Sequence, residues 1–477
     1  MNKFALFLSD LVSLAAAFVL VGHAFSHPVR VALGKQTPPV PISDLPQLRI
    51  LIFSMVAIAV LVWLLAAKGH YHRRKPFWDE VAEIWQCLLW AALVDAAALF
   101  LAKLPFSRIT WSLSWISALI LLPLLRISVK KLLLAFGDWK IPTLIVGSGA
   151  QAAATWRAMV SDNMLGYEVR GFVLAGDAPQ TTIRELAASA GLPLYLDIDE
   201  AQRARPSSTR GQIVLALEPQ DIPRQAHWIA ALSGHDRDLV LAPPLHGMPL
   251  HGLDTTYFFS HDILLMRVRN KLARKGHILL KRAFDIVGAS IGLLLLSPFF
   301  LAASLLIRRD GGPAMFKHKR VGQNGEEFGC YKFRTMVPDA ELALRQLLER
   351  DLEAAAQWVR DRKLRNDPRV TPLGRFLRRS SLDELPQLIN VLWGEMSLVG
   401  PRPVVRAELE RYGDDLQYYL EAKPGITGLW QVSGRNDLDY AQRVFLDTWY
   451  VRNWALWHDI VILLKTVKVV FRQYGAY

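Results

Sequence analysis

Two adjacent carboxylates, Asp383 and Glu384, stand inside the run Arg378-Arg379-Ser380-Ser381-Leu382-Asp383-Glu384-Leu385-Pro386-Gln387. An ionised carboxylate beside arginines can act as a nucleophile or as a ligand for a hard divalent cation. The spacing predicts a helix start. Ser381 lies three residues before Glu384, Leu385, Leu388, Ile389 and Leu392 follow at helical spacing, and Pro386 is tolerated only in a first turn. Such a terminus favours a phosphate and keeps a carboxylate charged near neutral pH. First-turn acids also merely complement the helix dipole, so the pair alone specifies no reaction.

Three more blocks carry cations on Gly/Pro-punctuated segments. They are Gly329-Cys330-Tyr331-Lys332-Phe333-Arg334-Thr335-Met336, Ser397-Leu398-Val399-Gly400-Pro401-Arg402-Pro403, and Lys423-Pro424-Gly425 through Ser433-Gly434-Arg435. Arginine on rigid loops suits bidentate capture of phosphate oxygens. Together with Lys281-Arg282-Ala283-Phe284-Asp285 and Ser297-Pro298, these blocks closely resemble the bacterial sugar transferase family, the monotopic polyprenyl-phosphate phosphoglycosyl transferases. The likeness covers roughly residues 278 to 477.

That resemblance implies a catalytic Asp383 that attacks the sugar-bearing phosphate of a UDP-sugar, with UMP leaving. Undecaprenyl phosphate would then take the phosphosugar from the aspartate. It implies Mg²⁺ as cofactor, held by Glu384 with Asp383, and phosphate contacts from Lys332, Arg334, Arg379, Arg402 and Arg435. A homodimer is compatible with it. Local segments such as Phe258-Phe259-Ser260-His261, Arg320-Val321-Gly322 and Gly475-Ala476-Tyr477 are most like long-form members that transfer galactose phosphate. UDP-galactose is the expected donor and UDP-glucose the alternative. The expected readers of the sugar C4 hydroxyl are a Val404–Tyr419 helix and Asn436-Asp437.

The elements that must position these residues are largely apolar. The 477 residues are 52% hydrophobic with positive mean hydropathy, and the net charge is +13. No aromatic-interleaved basic patch is present, so an anionic membrane surface and phosphorylated substrates fit the charge better than nucleic acid. With only Cys87 and Cys330, no disulfide framework exists. Four apolar runs, about Phe4–Phe25, Leu48–Ala67, Val81–Ala102 and Trp111–Leu125, approach the ~20 residues needed to cross a bilayer. Basic clusters at Lys68, Arg73, Arg74 and Lys75 and at Arg126, Lys130 and Lys131 place those ends in the cytoplasm, with Pro38–Pro46 outside. Asp10 and Asp95 inside the runs are assigned no role.

Ile141–Ala150 reads as a buried strand entering the glycine turn Gly147-Ser148-Gly149, followed by a helix from Gln151 to Val160. Strand candidates at Arg170–Leu174, Gln212–Leu217 and Asp238–Pro243 make this a Rossmann-like unit. Its fingerprint is a weak GxGxxA, and Asp177 comes late for a ribose contact. A competing reading makes this turn the centre of a membrane-anchored dinucleotide-binding regulator.

Ile286–Ile307 is long enough to span once, yet Lys281 and Arg282 precede it while Arg308 and Arg309 follow. Positive charge on both flanks argues for two cytoplasmic ends. Pro298 removes a helix hydrogen bond, and Ser297 can satisfy the carbonyl it frees. The resemblance likewise implies a re-entrant helix, about 282–308, breaking at Ser297-Pro298. Near the end, Trp449, Tyr450, Trp454 and Trp457 precede the apolar Ile460–Lys465, with Lys468 and Arg472 beyond. This suits an interfacial anchor or a core-packed terminal helix.

The expected architecture is a membrane α-helical bundle (1–130), a Rossmann-like α/β domain (131–270) and a mainly α monotopic catalytic domain with a re-entrant membrane helix (271–477). The protein is expected in the bacterial inner membrane, multi-pass, in contact with lipids and with its catalytic domain in the cytoplasm.

Overall fold

The computed structural model describes residues 2–18, 47–71, 74–104, 107–175, 181–197, 200, 211–221, 239–245, 247–250, 253–257, 264–267, 272, 275–351, 353, 355, 357–358, 364, 367–434 and 438–472. Pro38–Pro46, Arg73, Asp177, Phe258–His261, Arg435, Asn436, Asp437 and Gly475–Tyr477 lie outside the described residues. The chain forms two compact units, Met1–Pro244 and Leu245–Tyr477.

The first unit opens with helices α1 (Asn2–Ala16), α2 (Gln47–Val62), α3 (Phe77–Leu101) and α4 (Arg108–Ala135). They share an apolar core that includes Leu6, Val60, Leu64, Ile84, Leu88 and Leu122. Two buried ionic clusters lock the helices together. Arg126 donates to Asp10 from Nε at 2.6 Å and to Glu80 from Nη1 at 2.8 Å, joining α4 to α1 and α3. Arg49 donates to Asp95 at 2.6 Å, and Trp111 and Trp115 each give that carboxylate an indole N–H at 3.1 Å. Asp10 and Asp95 are therefore bundle staples, satisfied by the partners that buried charge requires. Among the described residues of this unit, α3 is the helix long and apolar enough to cross a membrane.

A parallel sheet follows, with β1 (Ile141–Val146), α5 (Ala150–Ser161), β2 (Tyr167–Val173), α6 (Thr181–Ala190), β3 (Leu194–Tyr195), β4 (Gln212–Leu215) and β5 (Leu239–Leu241). The strand order β3-β2-β1-β4-β5 is that of a Rossmann-like half. Alternate residues serve opposite faces. Leu144 and Val146 pack with Val173 and Leu215, while Ile145 packs with Ala152, Phe172 and Ile183 under the helices. Within the glycine turn, Glu218 places Oε1 2.9 Å from the Gln151 amide, at the start of α5. A Cβ on Gly149 would meet that same oxygen at 2.3 Å. The helix N-terminus that carries a pyrophosphate in dinucleotide-binding folds thus already holds a carboxylate of this chain.

The second unit contains the hairpin β6 (Asp254–Tyr257) and β7 (Leu264–Arg267), helix α7 (Lys275–Ile307), and the hairpin β8 (Met315–Val321) and β9 (Glu327–Phe333). Next come α8 (Ala340–Arg350), α9 (Pro372–Arg379), α10 (Gln387–Trp393), β10 (Ser397–Val399), α11 (Leu416–Glu421), β11 (Gly425–Thr427), α12 (Leu429–Ser433), α13 (Tyr440–Arg452) and α14 (Leu456–Arg472). The unit is mainly helical, with short strands that sequence periodicity did not resolve. It begins ahead of residue 271, and Leu250 donates its amide to Asn453 Oδ1 at 2.7 Å within it.

Helix α7, 33 residues long, rises about 50 Å and meets the length and apolarity needed to cross a membrane. Both of its halves nonetheless pack on the same unit. Toward its start, Lys281 Nζ bonds Asp459 at 2.8 Å, Arg282 bonds the Val391 and Leu392 carbonyls at 2.5 and 2.7 Å, and Asp285 accepts from Ser397 Oγ and the Leu398 amide at 3.0 Å each. Toward its end, Ala303 and Ile307 are buried with Phe333 and Leu377. Between them Leu294 and Leu295 are each 74% exposed. The helix is uninterrupted at Ser297-Pro298, where a break was expected. Pro298 frees the Leu294 carbonyl four residues back, and Ser297 Oγ donates to that carbonyl at 2.8 Å.

Of two further expectations, one is decided between its alternatives and the other changes. Tyr450 and Trp454 are 2% exposed and belong to the core, because Asp459 at the foot of α14 accepts from the Tyr450 hydroxyl at 2.7 Å and the Trp454 indole at 3.2 Å. They are not surface anchors, although Leu464 and Val467 on α14 remain exposed. The Val404–Tyr419 segment is not one helix. It is a 3-10 stretch over Arg406–Asp415, turned at Gly413 (φ 50°), that precedes α11.

Candidate active site

Asp383 and Glu384 sit on a 3-10 turn, Leu382–Glu384, that precedes α10. The capping box expected from Ser381 and Glu384 does not form. Ser381 takes a left-handed conformation (φ 58°) and its side chain caps nothing. This turn breaks the path between α9 and α10 and directs both acids toward β9. Asp383 is buried, and burial together with the neighbouring Glu384 raises its pKa to about 6, against the pull of Lys332 and Arg378. A helix N-terminus that would hold it fully ionised is not what surrounds it. At pH 7 the carboxylate form still leads by about ten to one. The folded state binds this proton more tightly than the unfolded chain does. Its stabilising contribution is therefore complete below the ordinary 3.8 and lost as pH rises through about 6.

Strand β9 supplies the facing cation. Alternation along the strand puts Cys330 and Lys332 on one face, with Phe333 turned into the core behind. Lys332 Nζ lies 2.6 Å from Glu384 Oε1 and 3.9 Å from Asp383 Oδ2. Asn390, fully buried on α10, fixes this register. Its Nδ2 donates to the Gly329 carbonyl at 2.8 Å and its Oδ1 accepts the Tyr331 amide at 3.0 Å, so the side chain joins the strand edge as another backbone would. Burial raises the Cys330 thiol to about 11, which makes it inert packing in the pocket wall.

A narrow pocket of about 300 Å³, counting space open to solvent, is lined by Glu384, Lys332, Arg320, Arg402, Gln387 and Gln431 among others. Its wall is formed where β10 pairs in parallel with β11, at Ser397–Gly425 and Val399–Thr427. A Cβ on Gly400 would meet the Lys423 carbonyl at 2.3 Å, so only glycine allows the two loops to approach this closely. Arg402 follows that contact and stacks on Trp430 at 5.4 Å, a ring that Arg443 also covers at 5.0 Å.

Of the five cations expected to meet phosphate, Lys332 and Arg402 line this pocket. Arg334 does not. Its guanidinium pairs with Asp310 and donates to the Ile307 and Pro313 carbonyls at 2.9 and 2.8 Å, closing the end of α7. Arg379 and its neighbour Arg378 are both exposed on α9, but Arg378 reaches Thr335 Oγ1 with its Nε at 2.9 Å and its charge acts on Asp383. Arg435 lies outside the described residues. Sequence reasoning missed Arg320 and Gln431. Arg320 stood in a quoted segment, but its place on a hairpin face was not legible. Gln431 sat within a quoted motif, and its buried Oε1 has no hydrogen-bond partner among the described residues.

The donor set fits a hard divalent cation. Mg²⁺ takes one or two carboxylates and completes its shell with substrate phosphates and water. Glu384 offers an oxygen to the pocket beside Asp383, with Lys332 now engaging it.

Residues 276–473 match the family model described as bacterial sugar transferase. The chain is 44% identical, over 90% of its own length and 89% of the relative's, to the undecaprenyl-phosphate galactose phosphotransferase of Salmonella typhimurium. The chain belongs to that family, and it is a phosphoglycosyl transferase. This sugar transferase is also 41% identical, over 100% of its length and 97% of the relative's, to the UDP-galactose-lipid carrier transferase of Erwinia amylovora. A 42% match to the UDP-glucose:undecaprenyl-phosphate glucose-1-phosphate transferase of Escherichia coli covers 42% of each chain.

The division of labour between the two arginines is testable in the transferase. Arg334→Gln is expected to lower the thermal unfolding midpoint with little change in the donor KM of the folded fraction. Arg402→Gln should raise donor KM by about tenfold with the midpoint unmoved, as loss of one charge-assisted bond implies. The opposite pattern in paired melting and steady-state measurements would refute this assignment.

Proposed function

We propose that the enzyme transfers hexose-1-phosphate from a UDP-sugar to undecaprenyl phosphate at the membrane surface, in polysaccharide synthesis. The observation that carries this reading is a buried carboxylate, Asp383, set among Glu384, Lys332 and Arg378 beside a cation-lined pocket. Asp383 attacks the β-phosphorus, and the bond from that phosphorus to the bridging oxygen breaks, so UMP departs with its electron pair. An oxygen of the lipid phosphate then attacks the aspartyl phosphosugar. The aspartyl oxygen leaves, Asp383 returns as a carboxylate, and the product is an undecaprenyl-diphosphate sugar. Lys332 and Arg402 offset the charge gathering around phosphorus in both steps. Mg²⁺, held through Glu384, would add a compact positive charge to the same phosphate oxygens. The dinucleotide-regulator reading is disfavoured by Glu218, whose carboxylate occupies the turn on which that reading depends.

The attacking form is the carboxylate, so kcat/KM for the donor is expected to rise with pH through about 6 and level off above it. Lys332→Met, which removes a charge that lowers this pKa, should move that limb upward. Asp383→Asn should abolish UMP release, and Glu384→Gln should blunt the response to Mg²⁺. Turnover by the asparagine variant, with deamidation excluded by mass spectrometry, would rule out the covalent step.

Helix α7 is read as re-entrant, entering and leaving the membrane from the cytoplasm. The support is that both of its halves pack on the one catalytic body while its middle stays apolar and exposed. Within the multi-pass inner-membrane reading, α1 to α4 supply the spans. Single cysteines at Lys281 and Arg309, with Cys87 and Cys330 replaced, are expected to react with impermeant reagents from the cytoplasmic side only. Labelling from opposite sides would make α7 a spanning helix.

Galactose is the proposed sugar, since two of the relatives that match along nearly the whole chain carry galactose in their names, while the cited glucose-named match is confined to part of it. Initial rates with limiting UDP-galactose and UDP-glucose should give the higher specificity constant to galactose. A higher constant for UDP-glucose would transfer the assignment and leave the phosphoryl chemistry intact.

A further inference from the structure

A second pocket, about 620 Å³ counting space open to solvent, adjoins the first, and Arg320 belongs to the walls of both. It is lined by His318, Lys319, Arg320 and Arg406 over an apolar floor of Val321 and Val405, with Glu327 at its edge. We propose that this pocket seats the nucleotide half of the donor, with Arg320 on the partition gripping the diphosphate. The inference rests on the transferase reading above and assigns a location that reading leaves open.

Charge is the first argument. Arg320 and Arg402 stand close enough that Arg402 helps lower the pKa of Arg320, after burial. Among the described residues neither forms an ion pair with a carboxylate. Glu408 and Glu384 offset part of the repulsion on Arg320 from beyond ion-pair distance, and a diphosphate between the two half-buried guanidinium groups offsets what is left. The hairpin explains how one ligand can touch both pockets. In the β8–β9 register, His318 faces Cys330, Lys332 faces Phe316 and Arg320 faces Phe328. Directly opposed residues share a face, so Lys332, Cys330, His318 and Arg320 form one row. That row leads from the catalytic pair at one end to the second pocket at the other.

Position favours a water-soluble ligand over a lipid. Strand β8 starts at Met315, which packs against the cluster that contains Ile307 at the end of α7. Arg320 lies five residues further along, about 17 Å from that end at strand spacing. The second pocket thus lies well separated along the strand from the end of α7. Its edge chemistry suits a uracil ring. Arg406 and Glu327, 3.3 Å apart, present a donor beside an acceptor, which matches the carbonyl and imide N–H of that base. Cytosine, with an acceptor in place of the N–H, would face the Glu327 carboxylate unfavourably.

The test uses the purified full chain in lipid nanodiscs. Ala407→Trp, which plugs the pocket at an exposed lining position, and Lys319→Glu, which reverses a charge, are compared with wild type. Both variants are expected to raise the UMP inhibition constant and the UDP-sugar KM by about tenfold or more, with the KM for undecaprenyl phosphate unchanged. An unchanged UMP inhibition constant in both variants would overturn the proposal. So would a selective rise in the lipid KM, which would give the pocket to the acceptor. UMP binding by calorimetry separates this inference from the one beneath it. A wild type that binds UMP, loses it on plugging, yet releases none from any UDP-sugar would sustain the pocket and sink the transferase reading. A wild type that turns over donor while the plugged protein still binds UMP normally would do the reverse.

Discussion

The site depends on a polar clamp between an apolar helix and the body it emerges from. Lys281, Arg282 and Asp285 lie within two turns of α7, and each is spent on a different part of the catalytic unit. Lys281 reaches Asp459 at the start of α14. Arg282 takes the last carbonyls of α10, the end that a helix leaves unpaired and electronegative. Asp285 holds Ser397 and the Leu398 amide of β10. The Asp383-Glu384 turn lies at the opposite end of α10, and the Gly400-Pro401-Arg402 loop follows β10. A helix with an exposed apolar middle therefore sets the distance between the acids and the arginine that must share a phosphate.

A second constraint works from the other side. Asn390 borrows the hydrogen-bonding pattern of a strand to join α10 to β9, which keeps Lys332 opposite Glu384. The price is a nucleophile candidate with little water around it, and its pKa rises accordingly. The nearby cations limit that rise, so Asp383 remains mostly charged at neutral pH without being as inert as a fully ion-paired carboxylate. Burial, the Glu384 repulsion and the Lys332 attraction act on one atom pair and set its reactivity together.

The first unit follows the same logic with a different outcome. Asp10, Glu80 and Asp95 are buried acids too, but each meets an arginine at hydrogen-bonding distance and stays structural. Asp383 differs in having Lys332 at 3.9 Å rather than in direct contact. In the Rossmann-like sheet, Glu218 fills the glycine turn from within. The strand order survives there while the phosphate seat is taken.

Much was written in the chain itself. Local motifs, Asp383-Glu384, Lys332 and Gly400-Pro401-Arg402, pointed to phosphate chemistry because residue type and spacing survive any folding detail. Apolar run length marked α3 and α7, and the strand–glycine–helix pattern at residues 141–160 marked β1 and α5, since periodicity is a local property. The tertiary structure decided what depends on partners distant in sequence. Arg334 went to Asp310 rather than to the pocket, because the end of α7 passes beside it. Ser381 turned left-handed instead of capping, because the chain must swing from α9 to α10. Arg320 entered the site through the pairing of β8 with β9, and Tyr450 and Trp454 entered the core through a buried Asp459. Side-chain direction is set by packing against residues far along the chain, and spacing in one sequence does not encode it.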